Sequence, residues 1–278
     1  MVVDVPYLLR GVKNIPTESS MLVSSSKYLN NPRLREWIAM ITLRRNGDDF
    51  PPQAEMYDIV GILGDLQDKP YIEELFRQER KKDARLDAWF EEGFMSNFTA
   101  EEFRHYPEGT LGCIFYRKVL ANNFELEIYK LPKPKTQLEF FNFRSAQTHD
   151  FEHVITGGNL DYMGELVPYW CRITNLFKHL SPELAGELSV MQLLGSLRYT
   201  VRTMLHYPQV WPTCQSNIER GMKVGHDSGP IFMNRYEDAL HLPLEEARRA
   251  LGVVGAIDVD TSAPSEIWAE RVTALAAE

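Results

Sequence analysis

Between His149 and Phe177 the chain reads as a helix, a glycine pair and a second helix. The histidines and acids across that unit constrain the fold more than any other stretch. His149-Asp150-Phe151-Glu152-His153 sets two imidazoles four residues apart. On a helix such positions differ by roughly 40° in direction, so both rings leave one face, one turn apart. Asp150 leaves about 100° away from His149 and reaches the same region from the flank, as the acid does in His-Glu-x-x-His metal sites. Gly157-Gly158 breaks the first helix. Asn159 or Asp161 can cap a second, predicted over Tyr162 to Phe177, with Pro168 tolerable in its first turns. A tight turn that folds the second helix back antiparallel returns Glu165 alongside His153, and Gly164 leaves room for the approach.

Two imidazoles and one carboxylate are the minimum set for zinc, or for non-haem iron with open coordination positions. The candidate ligands of one divalent ion are therefore His149, Asp150, His153 and Glu165. Asp150 is the candidate catalytic residue, either as a fourth ligand or as the base that moves a proton from bound water. The same spacing also suits a polar, half-buried helix pair in which His149 is capped by backbone. The histidine pair alone is a weak signal. The acid after the first histidine and the glutamate at return distance narrow it.

Elsewhere the apolar spacing is helical. Leu34, Trp37, Ile38 and Ile41 recur at three- and four-residue steps until Asn46-Gly47. Met56, Ile59, Val60, Leu63 and Leu66 repeat the pattern, Pro70 opens another helix, and Thr99 with Glu102 has capping-box spacing. Ile114, Phe115, Val119 and Leu120 form a further stripe. Ser181-Pro182-Glu183 starts a long helix, and 243–252 reads as a short one ended by Gly252. Residues 124–143 fit two readings, a short hairpin or an extended loop leading into a helix. The expectation is an all-α, single-domain chain: an arm over 1–30, a helical domain over 31–253 and a tail helix over 254–278.

The net charge of −9 disfavours nucleic acid, which needs a surplus of Lys and Arg. Three unpaired-looking cysteines argue against a disulfide framework and a cysteine zinc site, and fit a reducing compartment. Asp4 and Pro6 interrupt any apolar signal core, and no stretch approaches the ~18 apolar residues of a membrane span. A cytoplasmic location is expected, with peripheral contact on the inner face of the membrane left open. No glycine-rich nucleotide loop is present, and His226-Asp227-Ser228 lacks the Gly-x-Ser-x-Gly elbow of a hydrolase.

His-Asp-x-x-His, eleven residues, then Glu resembles the signature of the Coq-four family of ubiquinone (coenzyme Q) biosynthesis proteins. Positions 149, 150, 153 and 165 match it in full. Asn31-Pro32-Arg33, Tyr106-Pro107-x-Gly109-Thr110-x-Gly112, Gly164-Glu165, Gly225, Tyr236-Glu237 and the 244–252 segment also resemble family elements. The likeness spans roughly residues 30 to 253. It implies an all-helical peripheral membrane protein that holds a divalent metal, zinc or iron, at the signature. It also implies an apolar channel for a ring precursor with a polyprenyl tail, and an oxidative decarboxylation in which a hydroxyl replaces the ring carboxylate. Arg144 sits where a family arginine precedes the signature, and by that likeness is a candidate substrate-binding residue. Gln147, Asn31 and Tyr236 depart from the family pattern. They leave the metal signature intact and bear on the substrate, so a diverged relative acting on another hydrophobic aromatic molecule stays open. The rival class is a non-catalytic scaffold that holds an isoprenoid lipid for a quinone biosynthesis complex. A homodimer is a further partner expectation. A zinc peptidase fits worse, because Asp in place of Glu sets the base back by one methylene.

Overall fold

The computed structural model describes residues 23–47, 56–97, 100–121 and 131–270. Among them are eleven α-helices and no β-strand. The chain is all-α. α1 (Pro32–Leu43) is capped by the Asn31 side chain, which accepts the Leu34 N–H. α2 (Met56–Leu66), α3 (Lys69–Lys82) and α4 (Ala84–Glu92) follow, α3 capped by Asp68 and α4 ended by left-handed Gly93. Then come α5 (Leu111–Ala121), α6 (Gln137–Thr156), α7 (Leu166–His179), α8 (Pro182–His206) and α9 (Trp211–Asp227). Two short helices close the order, α10 (Leu244–Ala250) and α11 (Ser262–Trp268).

α6 is the hub. It packs on α3, α5, α7 and α10; from Phe151 to Thr156 it is buried on every face, whereas Asn142 and Ala146 in its first half are exposed. α6 also accounts for the ambiguity of 124–143 in sequence. Its first turns mix buried Leu138, Phe140 and Phe141 with exposed Asn142, and so short an apolar run fits strand alternation as well as a helix. Leu138 and Phe140 belong to α6, not to the second arm of a hairpin. The first arm, at 124–128, falls outside the described residues.

Phe151 lies between the two histidines in sequence and therefore on the opposite face of α6. It is fully buried, stacked on Phe115 with ring centroids 3.9 Å apart and on Tyr236 at 5.7 Å. Burying such a ring contributes about 1.5–3 kcal/mol. This packing fixes the rotation of α6 and so turns the imidazoles toward α7. On the far side of α7, α9 approaches through Gly221 and Gly225. A Cβ there would come within 2.5 Å of the Val167 carbonyl oxygen and 2.3 Å of the Cys171 one.

Of the expected arm, residues 23–30 are described. Lys27 and Tyr28 both bond Glu187 on α8. Thr99 of the expected capping box lies outside the described residues, and Ala100–His105 is a 3-10 turn. The tail is helical only over Ser262–Trp268 among the described residues. Val272 and Leu275 fall outside them. No helix among the described residues is long and apolar enough to cross a membrane.

Candidate metal centre

The turn between α6 and α7 builds the site. α6 ends at Gly157, whose φ of 82° is the left-handed conformation glycine favours. The helix expected from Tyr162 starts at Leu166 instead. Asp161 accounts for the difference. Its carboxylate accepts the Gly164 N–H at 2.8 Å and its carbonyl the Glu165 N–H at 3.1 Å, so 161–165 forms a capped turn that feeds into α7. Glu165 sits at the helix N-cap without capping it. Its carboxylate is turned toward α6.

There it meets both imidazoles. His149 Nε2 lies 3.3 Å from Glu165 Oε2, and His153 Nε2 lies 3.5 Å from Oε1. One ligand atom from each of the three residues falls within 4.8 Å of the other two. Asp150 is not part of that group. It stays on the flank of α6, half-buried, close enough to favour positive charge on His149. His153 is fully buried, whereas the His149 and Glu165 side chains keep 29% and 25% of their surface exposed. The centre is thus closed toward the core and open on one side.

The tautomer of His153 follows from its other nitrogen. Nδ1 lies 2.9 Å from the Asn159 carbonyl oxygen, which can only accept, so Nδ1 carries the hydrogen and Nε2 presents a lone pair. The Asn159 carbonyl can approach because residue 164 is glycine. A Cβ at Gly164 would sit 1.9 Å from that oxygen. His153 Nε2 and Glu165 Oε2 are both buried without a hydrogen-bond partner. His153 Nε2 faces Glu165 Oε1 and His149 Nε2 faces Oε2, so each pair needs a proton or a metal cation between its atoms. The spacing fits one: ligands about 2.1 Å from a tetrahedral ion lie roughly 3.4 Å apart. The donor set is that of zinc or iron. Electrostatics point the same way. Burial opposes charge on the His149 imidazolium, but the Glu165 and Asp150 carboxylates outweigh it and lift its pKa to about 9. Burial likewise opposes charge on Glu165, and positive charge on His153 and His149, when those rings are protonated, outweighs it and holds its carboxyl well below the usual range.

Around the centre, Tyr169 stacks on His149 at 6.0 Å, and Tyr199 continues the layer at 6.3 Å. Glu152, on the opposite side of α6 from Asp150, pairs with Arg172 of α7 at 2.6 Å, both buried. This pair clamps the two helices that carry the site. Arg144, the candidate substrate residue, points elsewhere. Its guanidinium bonds both Glu237 oxygens, Ser96 Oγ, Gln147 Oε1 and the Asn234 carbonyl, with 2% of its side chain exposed. His179 and His206 turn toward the Ser228 and Thr42 carbonyls, and His226 pairs with Asp227 at the surface. A cavity of about 880 Å³ beside the start of α6 is bordered by Arg80, Phe90, Met95 and Phe140, with none of the four candidate ligands in its wall.

Sequence reasoning missed the Asn159 carbonyl, which has no side-chain signature, and the Arg172 partner of Glu152. Glu152 was visible inside the motif, but its partner lies on the next helix.

The chain matches the model of the coenzyme Q (ubiquinone) biosynthesis protein Coq4 family over residues 52–256. It belongs to that family. All four candidate ligands lie inside the matched region, while α1 precedes it and α11 follows it. The fold is also similar to a crystal structure of a candidate ubiquinone biosynthesis protein from Nostoc punctiforme PCC 73102. The TM-score is 0.59 at 22% identity, covering 81% of this chain and 94% of that one. At that identity the likeness establishes the shared fold. No curated protein matches the chain. Membership of the Coq4 family gives the chain a role in ubiquinone biosynthesis.

Proposed function

We propose that the chain is a metal-dependent enzyme of ubiquinone biosynthesis that acts on a polyprenylated hydroxybenzoate-type ring. The reaction is an oxidative decarboxylation. The ring carbon–carboxylate bond breaks with loss of CO₂, a carbon–oxygen bond forms in its place to a hydroxyl derived from water, and dioxygen takes up the two electrons released, with two protons, as hydrogen peroxide. The observation that carries this reading is the buried, partnerless pair of lone-pair atoms, His153 Nε2 and Glu165 Oε2, beside His149 Nε2.

His149, His153 and Glu165 would hold one divalent ion, zinc or iron. The bound ion would supply Lewis acidity or redox capacity toward the ring's carboxylate and hydroxyl oxygens. The protein's own contribution is positional. The Asn159 carbonyl keeps the His153 hydrogen on Nδ1 and its lone pair inward. Tyr169 braces His149. Asp150, on the flank and outside the three-residue group, would take a proton from water. The open side of the centre admits the ring, whose prenyl tail would lie along apolar surface, with the protein held peripherally at a membrane.

Turnover of a prenylated hydroxybenzoate under air, with CO₂ release and ring hydroxylation read together, tests the assignment. His153→Ala should abolish turnover. Unchanged activity in that variant would remove the site from the reaction. Tight binding of the prenylated ring without turnover, under every metal and oxygen condition, would make the chain a lipid-holding scaffold instead.

A further inference from the structure

The α6–α7 turn is governed by a carboxylate outside the ligand group. Asp161 gathers four donors. Gly164 N–H at 2.8 Å and Asn159 Nδ2 at 2.7 Å come from within the turn. Thr261 Oγ1, with both carboxylate oxygens in reach at 2.7 and 2.8 Å, and Ser265 Oγ at 2.7 Å come from α11 and its N-cap. Each donor from the turn leads to the centre. Asn159 supplies the carbonyl that accepts from His153 Nδ1, and Gly164 directly precedes Glu165. Asp161 is therefore one residue removed from two of the three converging side chains.

The hydroxyls that hold Asp161 are themselves fixed. Thr261 is fully buried and Ser265 is 2% exposed. Ser265 Oγ also accepts the Met163 N–H at 2.9 Å, a second tie to the turn. The segment that carries them is anchored at both ends. Arg220 donates to the Ile257 carbonyl at 2.6 Å, and Arg248 bonds Asp258 at 2.8 Å. At the other end Trp268 is fully buried against Tyr162, Tyr199 and Tyr207, and its carbonyl accepts from Asn46 at 2.6 Å. The family match ends at residue 256. The strap of 257–270 thus lies beyond the matched region yet reaches the turn that shapes the centre.

We propose that Asp161 is a positioning residue for the metal centre and that Thr261 and Ser265, on the strap of 257–270, lock it in place. Through Asn159 and Gly164 the strap sets the tautomer of His153 and the placement of Glu165. The effect on metal affinity rests on the metal-binding reading above, whereas the effect on the His153 tautomer rests on the hydrogen bonds alone.

The test uses the full chain in two measurements. Cobalt(II) is titrated and followed by visible absorption, and imidazole ¹⁵N–¹H correlation spectra of the metal-free chain report the His153 Nδ1–H. In Thr261→Val/Ser265→Ala the cobalt dissociation constant should rise about 10- to 100-fold, the usual effect of losing outer partners of a ligand. The His153 Nδ1–H signal should weaken while far-UV circular dichroism stays unchanged. Thr261→Ser, which keeps the hydroxyl, should bind cobalt as the parent does. A folded double variant with unchanged affinity and an unchanged tautomer overturns the proposal. If the double variant does not fold, Thr261→Val alone is read by the same two criteria. If the parent chain takes up no cobalt, the metal reading fails and the tautomer decides alone: loss of the Nδ1–H signal in the variant upholds the strap, and its retention overturns it.

Discussion

α6 carries two buried polar constellations, one to two turns apart from Arg144 to His149, and they end differently. Near its middle, Arg144 closes a network with Glu237, Ser96, Gln147 and Asn234, charge against charge and donor against acceptor. One to two turns later, His149, His153 and Glu165 converge just as closely but leave His153 Nε2 and Glu165 Oε2 without partners. The first network is complete as it stands and fixes where the 234–237 segment docks on α6. The second has room for a cation among its three ligand atoms. What sets the second apart is the convergence of three ligand atoms within 4.8 Å, since buried atoms without partners also occur elsewhere, as at Tyr236 Oη and Trp268 Nε1.

The comparison can be broken most forcefully at Glu237. Glu237→Ala strands the buried Arg144 guanidinium, and unfolding by denaturant should show a loss of about 3–5 kcal/mol. A loss under 1 kcal/mol would mean that the network is not closed in solution. A smaller effect is expected at Gly164. Gly164→Ala forces the Asn159 carbonyl away from a Cβ that would otherwise sit 1.9 Å from it. Overpacking of this kind costs about 1–3 kcal/mol, and metal affinity measured by isothermal titration should fall with it. Stability should respond least at the centre itself. Glu165→Gln keeps the shape of the side chain, so above about pH 9, where His149 is neutral, the metal-free chain should change by about 1 kcal/mol or less, while metal uptake is lost. If Glu165→Gln destabilised the metal-free chain as much as Glu237→Ala, the two constellations would both be structural.

How much of this was readable from the sequence depends on where each partner lies. The helix–glycine–helix unit and the return of Glu165 to the histidines rest on local spacing, and the structure brings those three residues together. The start of α7 was misplaced because Asp161 spends its carboxylate on a turn whose other partners, Thr261 and Ser265, are about a hundred residues away. The start of α6 was ambiguous because its apolar residues, Leu138, Phe140 and Phe141, form too short a run to separate strand alternation from a helical period. Arg144 looked available to a substrate because nothing near it in sequence reveals Glu237, 93 residues on. Asp150 shares the motif but not the convergence, since one helical step turns it about 100° aside. Local periodicity was legible, and commitments made across long sequence separations were not.

The most direct test of the central claim is elemental analysis of anaerobically purified protein after exposure to zinc or iron(II). The account predicts one ion per chain in the parent and none in a folded His153→Ala variant. A parent chain that stays metal-free under both loadings, or a His153→Ala variant that keeps a full equivalent, would contradict it.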